Sequence, residues 1–323
     1  MGNISITFYL LNEDKQDLKW QDGSMVVKSI LPEEKILVPV RGGSLAVFRY
    51  GAQGGAPILA IHGVTSTNRA WQWFAGEVVS RGYTLYAVDL RGRGASNALP
   101  APYGMKNHAV DMVAVIQKLD LRSVDVIGHS MGAFVAVALL GVAPELVKRS
   151  VLIDGGIPLP LPEGFTIAEV MPHILGAALA RLSMTFESNL AYRKFWQEQP
   201  AFAKGWSSGL DEYADFDLHG VAPEMMASTK RQAVEEDSAD LFGNELIEKV
   251  LLNLDREVLL LRAVRGLKNE EQALYPQEVL ERALRNYPKI KVITVADTNH
   301  YDIVLDQKGA QSCADVIYGK RGE

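Results

Sequence analysis

The stretch Val124-Asp125-Val126-Ile127-Gly128-His129-Ser130-Met131-Gly132-Ala133-Phe134-Val135-Ala136-Val137-Ala138-Leu139-Leu140 decides the fold. Residues 124–127 read as a strand covered on both faces, and 133–142 is an apolar run of helix length. Between them Gly128-His129-Ser130-Met131-Gly132 places a serine in a sharp strand-to-helix turn. Such a serine is lifted out of the sheet, and the flanking glycines let the chain pass closely. The helix N-terminus behind it offers positive partial charge and free N–H groups, which favour developing negative charge. A bare G-x-S-x-G match is a weak signal; with both flanking elements in place it makes Ser130 the candidate nucleophile. The run 126–144 is nearly uncharged, but it holds His129 and Ser130 and reads as strand plus core helix, not as a membrane span of ~20 apolar residues.

Outward from this unit, short apolar runs recur at 36–40, 45–50, 58–61, 84–88, 151–153, 258–261 and 292–295. Helix-length segments lie between them at 70–81, 106–119 and 276–286. Strands alternating with helices imply an α/β domain, a mostly parallel sheet with helices on both faces. The first two strands have no helix between them and read as an antiparallel hairpin about Gly42-Gly43. Residues 1–34 read as an N-terminal extension without chemistry of its own. After Ile153 the alternation stops for about a hundred residues, too long for a structureless loop in a compact domain. A helical insertion at 157–250 is therefore expected, dividing a core made of 35–156 and 251–323.

The 323 residues are 48% hydrophobic and 22% charged, ordinary for a chain that buries its own core. With 33 basic against 39 acidic residues, a net charge of −6 and no basic run, nucleic acid and anionic membrane are excluded as main partners. The lone Cys313 excludes an internal disulfide framework and a cysteine zinc cluster, and makes a reducing, cytoplasmic setting the default. Residues 1–11 lack the basic flank and cleavage site of a signal peptide, and Ile6 stands where myristoylation needs Ser or Thr. Neither a phosphate-binding glycine loop nor a metal-ligand spacing is found, so no cofactor or metal is expected.

Two more segments carry chemistry. Ile61-His62-Gly63-Val64 ends an earlier strand, and the Val64 amide with the Met131 amide would form the two-donor oxyanion hole that acyl transfer needs. His62 itself reads as a hydrogen-bonded packing residue, and His129 as pointing away from its neighbour Ser130. Asp297-Thr298-Asn299-His300-Tyr301 follows the last strand, and His300 is the histidine in the right place to take a proton from Ser130. His108 falls at a helix start; His173 and His219 fall in the insertion.

On these residues the chain resembles the α/β-hydrolase-fold serine hydrolases, the esterase and lipase-like superfamily. Asp89-Leu90-Arg91-Gly92-Arg93-Gly94-Ala95-Ser96 is similar to that family's D-x-R-G-x-G-x-S loop after the fourth strand. The resemblance runs from about residue 35 to the C-terminus, and 157–250 corresponds in kind to the family's helical cap. It implies an eight-stranded α/β-hydrolase fold in which Asp89 and Arg91 form a salt-bridged loop holding the oxyanion strand.

The family's acid usually follows the seventh strand, in a pattern such as L-L-x-G-x-x-D. Here Leu260-Leu261-Arg262-Ala263-Val264-Arg265-Gly266 puts a glycine at that position. Two replacements are open. Asp154 ends the sixth strand before Gly155-Gly156, where haloalkane dehalogenases and some other members carry theirs; Glu270 or Glu271 follows strand seven, if the loop folds back. Asp154 is preferred. Asp297 and Asp302 read as fixing the His300 loop.

The resemblance thus implies a serine carboxylic-ester hydrolase acting through an acyl-enzyme. An insertion rich in aromatics and Met, from Phe165 and Met171 to Met225 and Met226, points to small or medium hydrophobic esters or lactones. The expected partner is a small-molecule ester, with a homodimer left open. The same residues would serve carbon–carbon bond hydrolysis or perhydrolysis, since fold does not decide chemistry. Gly266 leaves open a low-turnover ligand-binding or receptor protein.

Overall fold

The computed structural model describes residues 19–21, 24–26 and 29–320. One sheet is built from β1 (Glu34–Val40), β2 (Gly43–Tyr50), β3 (Ala56–Ile61), β4 (Tyr83–Val88), β5 (Val124–His129), β6 (Val147–Ile153), β7 (Val258–Ala263) and β8 (Ile290–Val295). Their spatial order is β8-β7-β6-β5-β3-β4-β2-β1. β1 and β2 form the expected antiparallel hairpin, β2 also lies antiparallel to β4, and every other pair is parallel.

Helices make the parallel crossovers. α1 (Gln72–Val79) joins β3 to β4, α2 (Met105–Lys118) joins β4 to β5, and α3 (Met131–Val142) joins β5 to β6. The long β6–β7 connection holds α4 (Ile167–Leu175), α5 (Ala177–Ala180), α6 (Asn189–Gln197), α7 (Ser208–Asp217), α8 (Arg231–Ala239) and α9 (Glu245–Leu252). α10 (Gln277–Asn286) links β7 to β8, and α11 (Asp302–Leu305) and α12 (Gln307–Tyr318) follow.

Two apolar clusters, one on each face, explain why the central strands read as continuous aliphatic runs. In β3, Leu59 and Ile61 face the α2 and α3 side with Met112 and Phe134, while Ile58 and Ala60 face Phe74 of α1 and Ala314 of α12. α3 has no polar stripe because it is buried from Met131 to Leu140 between the sheet and its neighbouring helices.

The structure differs from the sequence reading in four places. The insertion is not purely helical: Leu218–Val221 pairs antiparallel with Glu224–Ala227. Four-residue strands joined by Ala222-Pro223 are too short to register a period of two among helical neighbours. The segment 70–81 begins with a 3-10 turn, Asn68–Trp71, before α1. α9 packs on α3, so a boundary at 250 cuts a helix that belongs to the core. Within 1–34, Lys19–Gln21 pairs with Ser24–Val26 and β1 already starts at Glu34; the readings on residues 1–11 and Ile6 lie outside the described residues. No helix among the described residues is long and apolar enough to cross a membrane.

Leu59 is fully buried and Leu37, on the edge strand β1, is 56% exposed. Leu59→Ala is expected to lower the unfolding free energy by about 2–5 kcal/mol, and Leu37→Ala by no more than about 0.5 kcal/mol. Urea titrations of the two variants check this; equal losses would contradict the two-cluster core.

Candidate active site

Ser130 caps the N-terminus of α3 at φ 54°, ψ −122°, a conformation that residues with a Cβ rarely adopt. Two glycines make the turn possible by close approach. A Cβ on Gly128 would lie 2.1 Å from the Gly132 carbonyl oxygen, and one on Gly132 would lie 2.0 Å from that of Ile61. The turn is pinned to the next strand by the Ser130 N–H, which donates to Ile153 O at 2.9 Å. The result is a half-exposed Ser130 between a buried His129 and a buried Met131.

His300, 3% exposed in the loop after β8, donates its Nδ1 proton to Asp154 Oδ2 at 2.7 Å. That bond fixes the tautomer, leaving the Nε2 lone pair available as a base. Asp154 is itself fully buried and firmly oriented. Its Oδ1 accepts from the Ala263 N–H at 3.1 Å, and its own N–H donates to Leu261 O at 2.8 Å. So the backbone of β7 orients the candidate acid carried by β6.

The alternative acids lie elsewhere. The loop after β7 does fold back, with the Gly266 N–H donating to Glu270 O at 3.1 Å, but it folds over Gly266. The Glu270 carboxyl fills the space a side chain at 266 would take, 2.5 Å from an added Cβ, and accepts from the Lys268 N–H at 2.6 Å. Glu270 and Glu271 are both exposed.

The segment leaving β3 runs beside the serine: a Cβ on Gly63 would sit 3.2 Å from the Ser130 Cβ. His62 is fully buried under it. Its Nε2 accepts from the Leu90 N–H at 3.0 Å, so the proton is on Nδ1, which donates to Gly63 O at 2.7 Å. Burial pushes its pKa down to about 3, so it is neutral and structural, as expected. Val64 and Met131 line one cavity together with Ser130, Asp154 and His300.

Sequence reasoning missed the part played by His129. Its ring lies 4.8 Å from that of His300, and its Nε2 donates to His300 O at 2.8 Å, so it supports the His300 backbone instead of simply pointing away. Burial holds it well below the usual histidine range, and therefore neutral. The expected Asp89–Arg91 salt bridge is also replaced. Asp89 accepts from the Asn68 and Ala95 amides, while Arg91 forks onto Asp111 at 2.7 and 2.8 Å. Asp297 and Asp302 both pair with Lys204 at 3.1 Å, consistent with a loop-fixing part. His108 is buried against Asp237, and His173 and His219 are exposed.

Two lobes meet at Ser130 and His300, spanning about 380 and 360 Å³ including space open to solvent. One is apolar, with Phe134, Leu159, Met171, Ile174 and Leu241. The other adds hydroxyls from Thr65, Ser66 and Tyr213, the last two 3.2 Å apart. Neither lining contains Lys or Arg. Met171 and Tyr213 thus face the site, whereas Phe186, Phe195, Trp196 and Phe202 pack edge to face on one another inside the insertion.

A model of the Alpha/beta hydrolase family matches residues 58–313. The uncharacterized protein Rv2715 of Mycobacterium tuberculosis is 32% identical over 143 residues, 44% of this chain and 41% of that protein. The chain thus spans about two fifths of that relative's length. N-formylmaleamate deformylase of Pseudomonas putida is 28% identical over 186 residues, 54% of this chain and 68% of that protein. Lipase LipV of M. tuberculosis is 33% identical over 133 residues, 41% and 49% of the two chains. Among solved structures, E-2-(acetamidomethylene)succinate hydrolase matches with a TM-score of 0.71 at 20% identity, over 88% of this chain and 98% of that one. The thioesterase domain of a curacin biosynthetic pathway gives 0.71 at 19% identity, over 89% and 99%. At such identities the structural matches establish the fold.

Because His62 is neutral when folded and charges when unfolded, the unfolded state binds more protons below the ordinary histidine pKa, and stability falls as pH drops from about 6.5. Between pH 6.5 and 5 the stability slope of His62→Asn should be smaller than the wild type's by about one proton, or ~1.4 kcal/mol per pH unit. Urea titrations across that range measure it, and identical slopes would contradict a neutral His62.

Proposed function

The chain belongs to the alpha/beta hydrolase family, and from that premise we propose that it is a serine carboxylic-ester hydrolase working through an acyl-enzyme. The observation that carries the reading is the buried His300–Asp154 pair at 2.7 Å beside the strained Ser130 turn, in one cavity with Val64 and Met131. Ser130 Oγ attacks the ester carbonyl carbon while His300 Nε2 takes its proton. The carbonyl oxygen becomes an oxyanion held by the Val64 and Met131 amides. The intermediate collapses, His300 returns the proton to the departing alcohol, and an acyl-Ser130 ester remains. Water, deprotonated by His300, repeats the attack and releases the acid. Asp154 keeps His300 in the productive tautomer throughout.

The lobes favour neutral, small to medium acyl and alcohol groups, including lactones. Both lobes are narrow, and one is lined by aliphatic side chains and Phe134. The deformylase and succinate hydrolase among the matches are named for substrates that carry carboxylates. No cationic side chain lines the cavity here to receive one, which argues for an uncharged ester. The low-turnover ligand-binding or receptor reading loses its support, since it rested on Gly266 at the usual acid position and Asp154 bonds His300. A cytoplasmic setting belongs to the same reading and rests on the single, buried, unpaired Cys313.

Initial rates on p-nitrophenyl esters of increasing acyl length test the proposal. Turnover should peak at short or medium chains. Ser130→Ala and Asp154→Asn should each lower kcat by roughly 10⁴-fold, and Glu270→Gln by less than about twofold. Full activity in Ser130→Ala, or a loss in Glu270→Gln matching that of Asp154→Asn, would overturn it.

A further inference from the structure

Three successive carbonyls of the segment beside Ser130 are each held by a buried side chain. His62 Nδ1 donates to Gly63 O, Arg93 Nε to Val64 O at 3.1 Å, and Arg181 Nη2 to Thr65 O at 2.5 Å. Gly63 C=O and Val64 N–H belong to the same trans peptide plane and point in opposite directions, so fixing the oxygen aims the amide. The two planes that follow set the backbone dihedrals on the far side of Val64.

Both arginines are at most 1% exposed, and both are anchored by aspartates of the insertion. Arg93, in the loop after β4, meets Asp237 of α8 at 2.6 Å, and that carboxylate also accepts from the Gly104 N–H and contacts His108 Nε2 at 3.0 Å. Arg181, in the turn after α5, meets Asp217 at the end of α7 at 3.1 Å. Asp217 also accepts from the Tyr192 hydroxyl and from Ser228 Oγ, the latter at 2.7 Å, and Ser228 Oγ in turn accepts from the Gly94 N–H at 3.1 Å. The insertion therefore grips both the Gly63–Thr65 segment and the loop that carries Arg93.

Burying two guanidiniums and two carboxylates is a weak source of stability, because the desolvation penalty offsets most of the attraction. Two guanidiniums, each paired with a buried carboxylate and bonded to adjacent carbonyls of one loop, are better explained by orientation. We propose that Arg93 and Arg181 are positioning residues that hold the Val64 amide in line for the oxyanion, and that the insertion takes part in catalysis by anchoring them through Asp237 and Asp217. The proposal rests on the serine-hydrolase reading above and adds that the insertion sets the oxyanion hole as well as covering it. Neither arginine lines the cavity, so substrate binding is left to other groups.

The test compares wild type with Arg93→Lys, Arg181→Lys and the double variant Arg181→Met/Asp217→Asn. The lysine variants keep a charge opposite each aspartate, and the double variant removes both charges together, so no buried charge is left alone. Each is assayed for kcat and KM on a p-nitrophenyl ester and for affinity toward an alkylboronic acid, whose adduct with Ser130 Oγ places a tetrahedral oxygen where the oxyanion forms. The expected result is a fall in kcat of about 10–100-fold, less than the loss of a whole oxyanion donor, with KM within about threefold. Boronate affinity should fall by the same factor as kcat. Arg193→Met is the control: it breaks the Arg193 pairs with Asp211 and Asp215 on α7 without touching the oxyanion segment, and should leave kcat unchanged. An active wild type whose Arg93 and Arg181 variants keep full kcat and boronate affinity overturns the clamp alone. So does a kcat loss that follows Tm while boronate affinity stays at the wild-type value. A wild type that neither hydrolyses the ester nor binds the boronate overturns the hydrolase reading and the clamp with it.

Discussion

Ser130 occupies a backbone conformation that costs a residue with a side chain on the order of 1–3 kcal/mol, and the contacts that hold it there organise the rest of the site. Gly132 lies against the Ile61 carbonyl at the end of β3, and Ser130 N–H bonds to Ile153 O at the end of β6. The ends of three adjacent strands, β3, β5 and β6, are thereby locked around the start of α3. The candidate oxyanion segment leaves β3, the candidate nucleophile leaves β5 and the candidate acid leaves β6. One tight turn fixes the relative position of all three, because none of these strand ends has room to shift against the others.

The same locking explains how a carboxylate on β6 reaches the histidine that follows β8. A histidine base needs an acceptor oxygen at Nδ1; which strand delivers it is immaterial if the distance is met. β6 and β7 are hydrogen-bonded neighbours, and their carboxyl ends lie side by side under the His300 loop. Asp154 reaches His300 from β6, and the β7 backbone contributes the Ala263 N–H to its second oxygen. The glycine left at 266 is filled from above by Glu270, which closes the space without approaching the base.

Much of this was legible in the sequence, and the parts that were not share a cause. All eight sheet strands and the turn around Ser130 show in local pattern, the central strands because a doubly covered strand is aliphatic throughout, the edge strands β1 and β8 as short apolar runs, and the turn because close packing demands glycine. His300 is readable from chain order and from the strand end it follows, whereas Asp154 is preferred only through the resemblance to family members with a carboxylate after the sixth strand, and chain order leaves Glu270 and Glu271 open beside it. The Leu218–Val221 and Glu224–Ala227 pair is too short to carry a period. His129 as a support for His300, Arg91 paired to Asp111 and Arg181 to Asp217 are contacts between residues 20 to 171 positions apart. Nothing in the local pattern around any of them names its partner; each becomes visible only when the chain is folded and the burial of a polar or charged group demands a partner.

The insertion packs its own interior and also touches the site. Its aromatic residues form their own packed interior, its Met171 and Leu175 line the apolar lobe, and its Asp237 and its Arg181, paired with Asp217, reach the loops that flank the serine. The account as a whole stands on a covalent intermediate at one atom, Ser130 Oγ. The most direct measurement is peptide mass spectrometry on the enzyme quenched during turnover of a p-nitrophenyl ester. The account predicts an acyl-sized mass increase confined to the peptide containing Ser130 and absent from Ser130→Ala. Turnover with no adduct, or an adduct on another residue, would contradict it.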